Sequence, residues 1–104
     1  MAVAFDDVDL SRDATLVRRF QEGDRQAFED LYARYFARLR RFCEKRVGDP
    51  HEAEELAQET LVRAYDALPR LGGPRRFYPW LTVIAARLCA DTHRNRRRTA
   101  PHPP

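Results

Sequence analysis

Apolar residues recur every three or four positions through most of this chain, and no stretch alternates apolar and polar residues as a half-buried strand would. That pattern confines the fold to helices packed through one face, because a helix repeats every ~3.6 residues and a strand every second one. The longest stripe is Ala27, Phe28, Leu31, Tyr35, Leu39, Phe42, Cys43 and Val47, with Arg34, Arg38, Arg41 and Lys45 on the other side. Asp24 is placed to cap this helix and Gly48 to end it. The next start is the clearest in the chain: Asp49 at the N-cap, Pro50 at the first helical position and Glu52 set for a capping-box return. Its stripe is Ala53, Leu56, Ala57, Thr60, Leu61, Ala64 and Leu68, and Pro69 stops it.

An earlier helix is expected over residues 13–22, with Leu16, Val17 and Phe20 on one face, Ser11 or Asp13 as cap and Gly23 just past its end. Residues 69–76, with Gly72, Gly73 and Pro74, read as a loop. A fourth helix begins between Phe77 and Pro79, turns Trp80, Leu81, Ile84, Ala85, Leu88 and Cys89 inward, and runs out into Arg94, Arg96, Arg97 and Arg98. The expected fold is all-α, a compact bundle of about four helices over residues 13–98. A disordered acidic N-terminus (1–12) and a proline-rich, non-helical tail (99–104) flank it.

At 104 residues the chain has room for one core. No apolar run approaches the ~20 residues of a membrane span, and the acidic start lacks the basic and apolar segments of a signal peptide. A cytoplasmic location is expected. The two cysteines, Cys43 and Cys89, fall at apolar or small-residue positions of helices and read as buried thiols in a reducing compartment. Neither a metal site nor an enzyme is expected. His51-Glu52-Ala53-Glu54-Glu55 has the beginning of a metalloprotease helix, but a glutamate stands where the second histidine ligand is needed. The sequence holds no glycine-rich phosphate loop, nucleophile elbow or evident acid/base pair.

Charge is distributed more tellingly than its net value of +3 conveys. The third helix carries Asp49, Glu52, Glu54, Glu55, Glu59 and Asp66 against one basic residue, Arg63. The helix dipole accounts for acids in the first turn, but not for Glu55 and Glu59 further in. With Gln58 and Val62 these form a stripe beside the core face. The following segment is the reverse: Arg70, Arg75, Arg76, Arg87, Arg94, Arg96, Arg97 and Arg98 face one acid, Asp91. Phe77, Tyr78 and Trp80 are interleaved with these arginines. Arginines that neutralise phosphates and aromatics that stack on unpaired bases are the ingredients of a single-strand site. Trp80 is expected in the core, which leaves Tyr78, on another face, as the stacking candidate. Two opposite fields on neighbouring elements point to two partners, one basic and one polyanionic.

Three motifs now stand in order: Gly-Asp-Arg-Gln-Ala-Phe-Glu-Asp-Leu-Tyr (23–32), Asp-Pro-His-Glu-Ala-Glu-Glu-Leu-Ala-Gln-Glu-Thr (49–60), and Phe-Tyr-Pro-Trp-Leu-Thr-Val-Ile-Ala-Ala-Arg-Leu (77–88) followed by Asp91 and the arginine run. Together they resemble region two of the extracytoplasmic-function group of bacterial sigma factors, over residues 13–98. The resemblance implies a region-two type of helical fold and a transcription initiation role without cofactor. It implies docking on the clamp helices of the RNA polymerase β′ subunit through Glu55, Gln58, Glu59 and Val62. It also implies capture of a flipped base from the non-template strand of the minus-ten promoter element. Arg70, Arg75 and Arg76 would line that pocket, and Arg87, Arg94, Arg97 and Arg98 would hold phosphates or base edges. Ala86-Arg87 departs from the family's usual Arg-Asn, exchanging a side chain that donates and accepts for one that only donates. The family's C-terminal helix-turn-helix domain is expected to be absent from this chain.

Two other readings compete. A module held chiefly by an anti-sigma factor would use the same helices, with Leu61, Val62 and Tyr65 as apolar anchors. A small duplex-binding protein would need a tight turn before its recognition helix, where this chain has a long Gly/Pro loop.

Overall fold

The computed structural model describes the backbone of residues 2–72 and 76–99 and the side chains of 11–72 and 76–96. Four helices make up the bundle: α1 (Ala2–Gln21), α2 (Arg25–Val47), α3 (Pro50–Ala67) and α4 (Phe77–Thr99), with a short 3₁₀ turn, Leu68–Arg70, after α3. No strand occurs among the described residues, and no helix there is long and apolar enough to cross a membrane.

The local causes of the middle two helices are the expected ones. Asp24 and Asp49 both hold extended backbone and accept from the amides two residues on, Gln26 and His51, at 3.1 and 3.0 Å. Gly48 closes α2 in the left-handed region at φ 76°, where its amide reaches Glu44 O. Pro79 lies within the first turn of α4, where no intrahelical amide bond is lost.

Three expectations are corrected. First, α1 starts well ahead of residue 13. Residues 2–22 contain no proline or glycine to stop a helix. Asp13 cannot serve as a cap because its buried carboxylate is taken by the Tyr35 hydroxyl and, at 3.0 Å, by Arg34 Nε. Second, Glu52 pairs with Arg96 of α4, so its carboxylate joins two helices instead of closing a capping box. Third, α4 carries on through Thr99, one residue into the tail expected to be non-helical.

The core gathers the inward stripes of all four helices. Leu31, Leu39, Leu61, Leu68, Phe77 and Leu81 are fully buried, and Phe20 and Phe28 pack with Tyr65 at ring-centroid distances of 5.1–5.2 Å. Cys43 and Cys89 are free, buried thiols that face each other between α2 and α4. Burial, with Cys89 alongside, pushes the Cys43 thiol up to about 12, so it stays an uncharged core group.

The far end of α2 is closed by α4. His93 Nε2 sits 2.7 Å from the carbonyl oxygen of Arg46, and Arg96 reaches the Val47 carbonyl at 3.5 Å. These are among the last carbonyls of α2, which lack partners within their own helix. At the opposite end, Gln21 Nε2 donates to the carbonyls of Leu68 and Leu71, 3.0 Å from each. The end of α1 thereby fixes the 3₁₀ turn that follows α3.

Candidate protein and nucleic-acid interfaces

The acidic stripe stands where helical spacing put it. Glu55, Gln58, Glu59 and Val62 are all exposed along α3, and Val62 keeps 60% of its surface in water. Their outward aim follows from the residues between them: Ala53, Ala57, Thr60, Leu61 and Ala64 are buried, which turns the neighbouring stripe away from the bundle. Glu59 makes a 3.3 Å pair with Arg63 one turn on. An exposed pair of this kind is worth little in water, so the face stays available. Beside it, Glu52, Glu55 and Glu59 border a groove of about 420 Å³ between α3 and α4, with Leu56 and Leu88 also in its lining. Tyr65, 38% exposed, extends the apolar part of the stripe next to Val62. Leu61 does not: at 1% exposure it is core and cannot anchor a partner.

The basic residues are not one surface. Arg70 and Arg87 meet across a groove of about 400 Å³ between α3 and α4, together with Arg63, Val83, Ile84 and the acids Asp66 and Asp91. Tyr78 lies on the other side of α4. Its ring packs on Tyr35 of α2 at 5.0 Å between centroids, and the Arg38 guanidinium lies 4.2 Å from its centre. Positions 78 and 87 are nine residues apart, which is about half a turn around a helix of ~3.6 residues per turn. Arg94, seven residues after Arg87, returns to the Arg87 side and is paired with Asp91. Arg76 is exposed just ahead of α4. Arg75 and the side chains of Arg97 and Arg98 lie outside the described residues.

Tyr78 is therefore half-buried and already engaged, and burial raises its phenol while Arg38 and Arg41 pull the other way. Trp80 packs partly buried against the core, 6.0 Å from Phe77, as expected of it. Helical spacing sets Arg38 and Arg41 on the polar side of α2 but does not connect them with Tyr78. Their signal in the sequence is a repeat of three beside the apolar stripe; what α4 lays against it is not encoded there.

The chain is thus a small helical domain with an acidic, partly apolar face on one helix and arginine-lined surfaces on either side of the next. Residues 31–99 match the model of the sigma-70 region 2 family, and the chain belongs to that family. It is 33% identical over 81 residues to the ECF RNA polymerase sigma factor SigW of Bacillus subtilis, covering 78% of this chain and 43% of that protein. To the ECF RNA polymerase sigma factor BldN of Streptomyces coelicolor it is 39% identical over 95 residues, covering 88% and 35%. To the RNA polymerase sigma-H factor of Pseudomonas aeruginosa it is 39% identical over 74 residues, covering 71% and 38%. The chain spans less than half the length of each of these relatives. Among solved structures it resembles an engineered region 2 of sigmaE in complex with GTAAAA, determined by NMR. The TM-score is 0.75 and the identity 30%, over 86% of this chain and 94% of that one.

Proposed function

We propose that this chain is the polymerase- and promoter-binding domain of an extracytoplasmic-function sigma factor, acting in the cytoplasm as a non-catalytic initiation factor. One observation carries the reading most directly: a region 2 with the same fold, nearly all of it covered by this chain, was solved in complex with GTAAAA. Glu55, Gln58, Glu59 and Val62 dock on the clamp helices of the polymerase β′ subunit, the acids meeting a basic partner and Val62 supplying buried apolar area. Residues 69–76 and the start of α4 hold the non-template strand of the minus-ten element. Arg70, Arg75 and Arg76 line a pocket for a flipped base, and Arg87, Arg97 and Arg98 take phosphates or base edges, with a smaller share for Arg94, whose charge Asp91 partly offsets. Free domain binds duplex weakly, since unstacking a base costs energy that only the opened strand returns.

Exposed Val62 and Tyr65 also favour a second protein partner on the same face, an anti-sigma factor whose binding excludes polymerase. Co-elution with bacterial core RNA polymerase by size exclusion tests the main reading. The wild type is expected to co-elute and a folded Glu55→Arg, Gln58→Ala variant to elute alone. A folded wild type that does not co-elute sinks the docking assignment and turns the search to the inhibitor-type partner.

A further inference from the structure

We propose that the nucleic-acid surface of this domain continues from Tyr78 onto α2, where Arg38 and Arg41 bind backbone phosphates of a single strand. The proposal rests on the single-strand reading above and adds to it a second helix and two residues.

The first support is position. Arg38 lies over the Tyr78 ring at 4.2 Å from its centre, and Arg41 is near enough to influence the Tyr78 hydroxyl. A guanidinium stacks through its face and donates hydrogen bonds from its edge. Arg38 can therefore stay on Tyr78 and still present N–H groups to a phosphate. Arg38, Arg41 and Lys45 are all exposed and follow one side of α2 within about two helical turns.

The second support is local charge. Carboxylates of Glu44, Glu59, Asp91 and Glu52 sit beside Arg40, Arg63, Arg94 and Arg96 and offset part of the positive field that a phosphate would meet there. Among the described residues, Arg38 and Arg41 have no carboxylate partner. The groove that holds Arg70 and Arg87 is lined by two aspartates as well, so part of its field is cancelled before any ligand arrives. The third support is direction. A strand in contact with the Tyr78 side of α4 has Arg87 half a turn away, whereas Arg38 and Arg41 are adjacent. Phosphates of such a strand meet α2 before they can meet the far side of α4.

The test is fluorescence anisotropy of the 104-residue chain with a labelled single strand carrying GTAAAA and a scrambled strand of equal composition, each over a range of salt. Arg38→Gln with Arg41→Gln is expected to weaken both strands about tenfold at low salt and to flatten the salt slope by about 1.4, near 0.7 for each phosphate that goes without its arginine on a single strand. Arg41→Gln alone, at an exposed position, is expected to remove about half that slope without disturbing the packing of Tyr78. Circular dichroism melts confirm that each variant folds. If the double variant stays within about twofold of wild type while Arg76→Gln weakens binding, the α2 track is wrong and the single-strand reading survives. A loss confined to the GTAAAA strand would mean that these arginines read bases, which also overturns the proposal. If the wild type binds neither strand, the single-strand reading itself falls and takes this extension with it.

Discussion

The acidic face of α3 and the arginines of α4 are equally conspicuous as charge runs, yet the structure treats them differently. On α3 the stripe survives intact: Glu55, Gln58, Glu59 and Val62 stay together and exposed, because one helix and its buried opposite side decide their aim. On α4 the run divides. Tyr78 turns to α2, Arg70 and Arg87 share a groove with α3, Arg94 is matched by Asp91, and Arg96 holds Glu52 and the end of α2. The sign of a charge run is a property of sequence, whereas its availability depends on which carboxylates the fold brings alongside.

Both faces hang on one core, and the largest predicted effect strikes that shared support. Leu39→Ala at a fully buried site is expected to lower the unfolding free energy by about 3 kcal/mol, from lost transfer energy plus a cavity. Urea melts measure it. A loss below ~1 kcal/mol would show that α2 is not the common floor of the two faces.

A second prediction concerns the α1–α2 contact that seats Tyr35 beneath Tyr78. Burial first, and then the Asp13 hydrogen bond, push the Tyr35 phenol from its ordinary 10.0 up to about 12. The folded value lies above the unfolded one. The stabilisation is therefore complete below pH 10 and is lost as pH rises from 10 toward 12, on the order of 2 kcal/mol. Cys43, raised by burial from 9.0, contributes a slope of the same sign. The slope that disappears in Tyr35→Phe isolates the phenol, since Cys43 is common to both proteins. Parallel stability curves for the two would mean that folding does not raise the Tyr35 phenol.

Next in size is the start of the acidic helix. Asp49→Ala removes the cap on the His51 amide and is expected to cost about 1 kcal/mol. A thermal melt checks this, and polymerase co-elution should persist, because Asp49 lies outside the docking stripe. Loss of co-elution in a folded variant would extend the acidic face to the helix end.

The smallest effect is the sharpest test of the contrast itself. Asp91→Asn releases Arg94 from its pair and is expected to tighten single-strand binding by about threefold and to steepen its salt slope, while Arg94→Gln in the wild-type background changes affinity less than about twofold. If Arg94→Gln proves as damaging as Arg76→Gln, the Asp91 pair does not withhold Arg94 from phosphate.

Most of the helical plan was legible in the sequence: α2 and α3 with their Asp caps, the Gly48 stop, the Pro69 break, and the inward placement of Leu31, Leu39, Leu61 and Leu81. These depend on interactions within about four residues along the chain, and periodicity records them. The α3 stripe was legible for the same reason. What only the tertiary structure decided lies between helices. Asp13 became a buried partner of Tyr35 and Arg34 instead of a cap. Glu52 crossed to Arg96. Tyr78 was laid against Tyr35 and Arg38 of α2. Each outcome turns on groups brought together from separate helices, and in most cases from distant stretches of the chain. A local pattern can say that a side chain leaves the core face, but only the packing of the neighbouring helix determines whether it then meets water, a carboxylate or an aromatic ring.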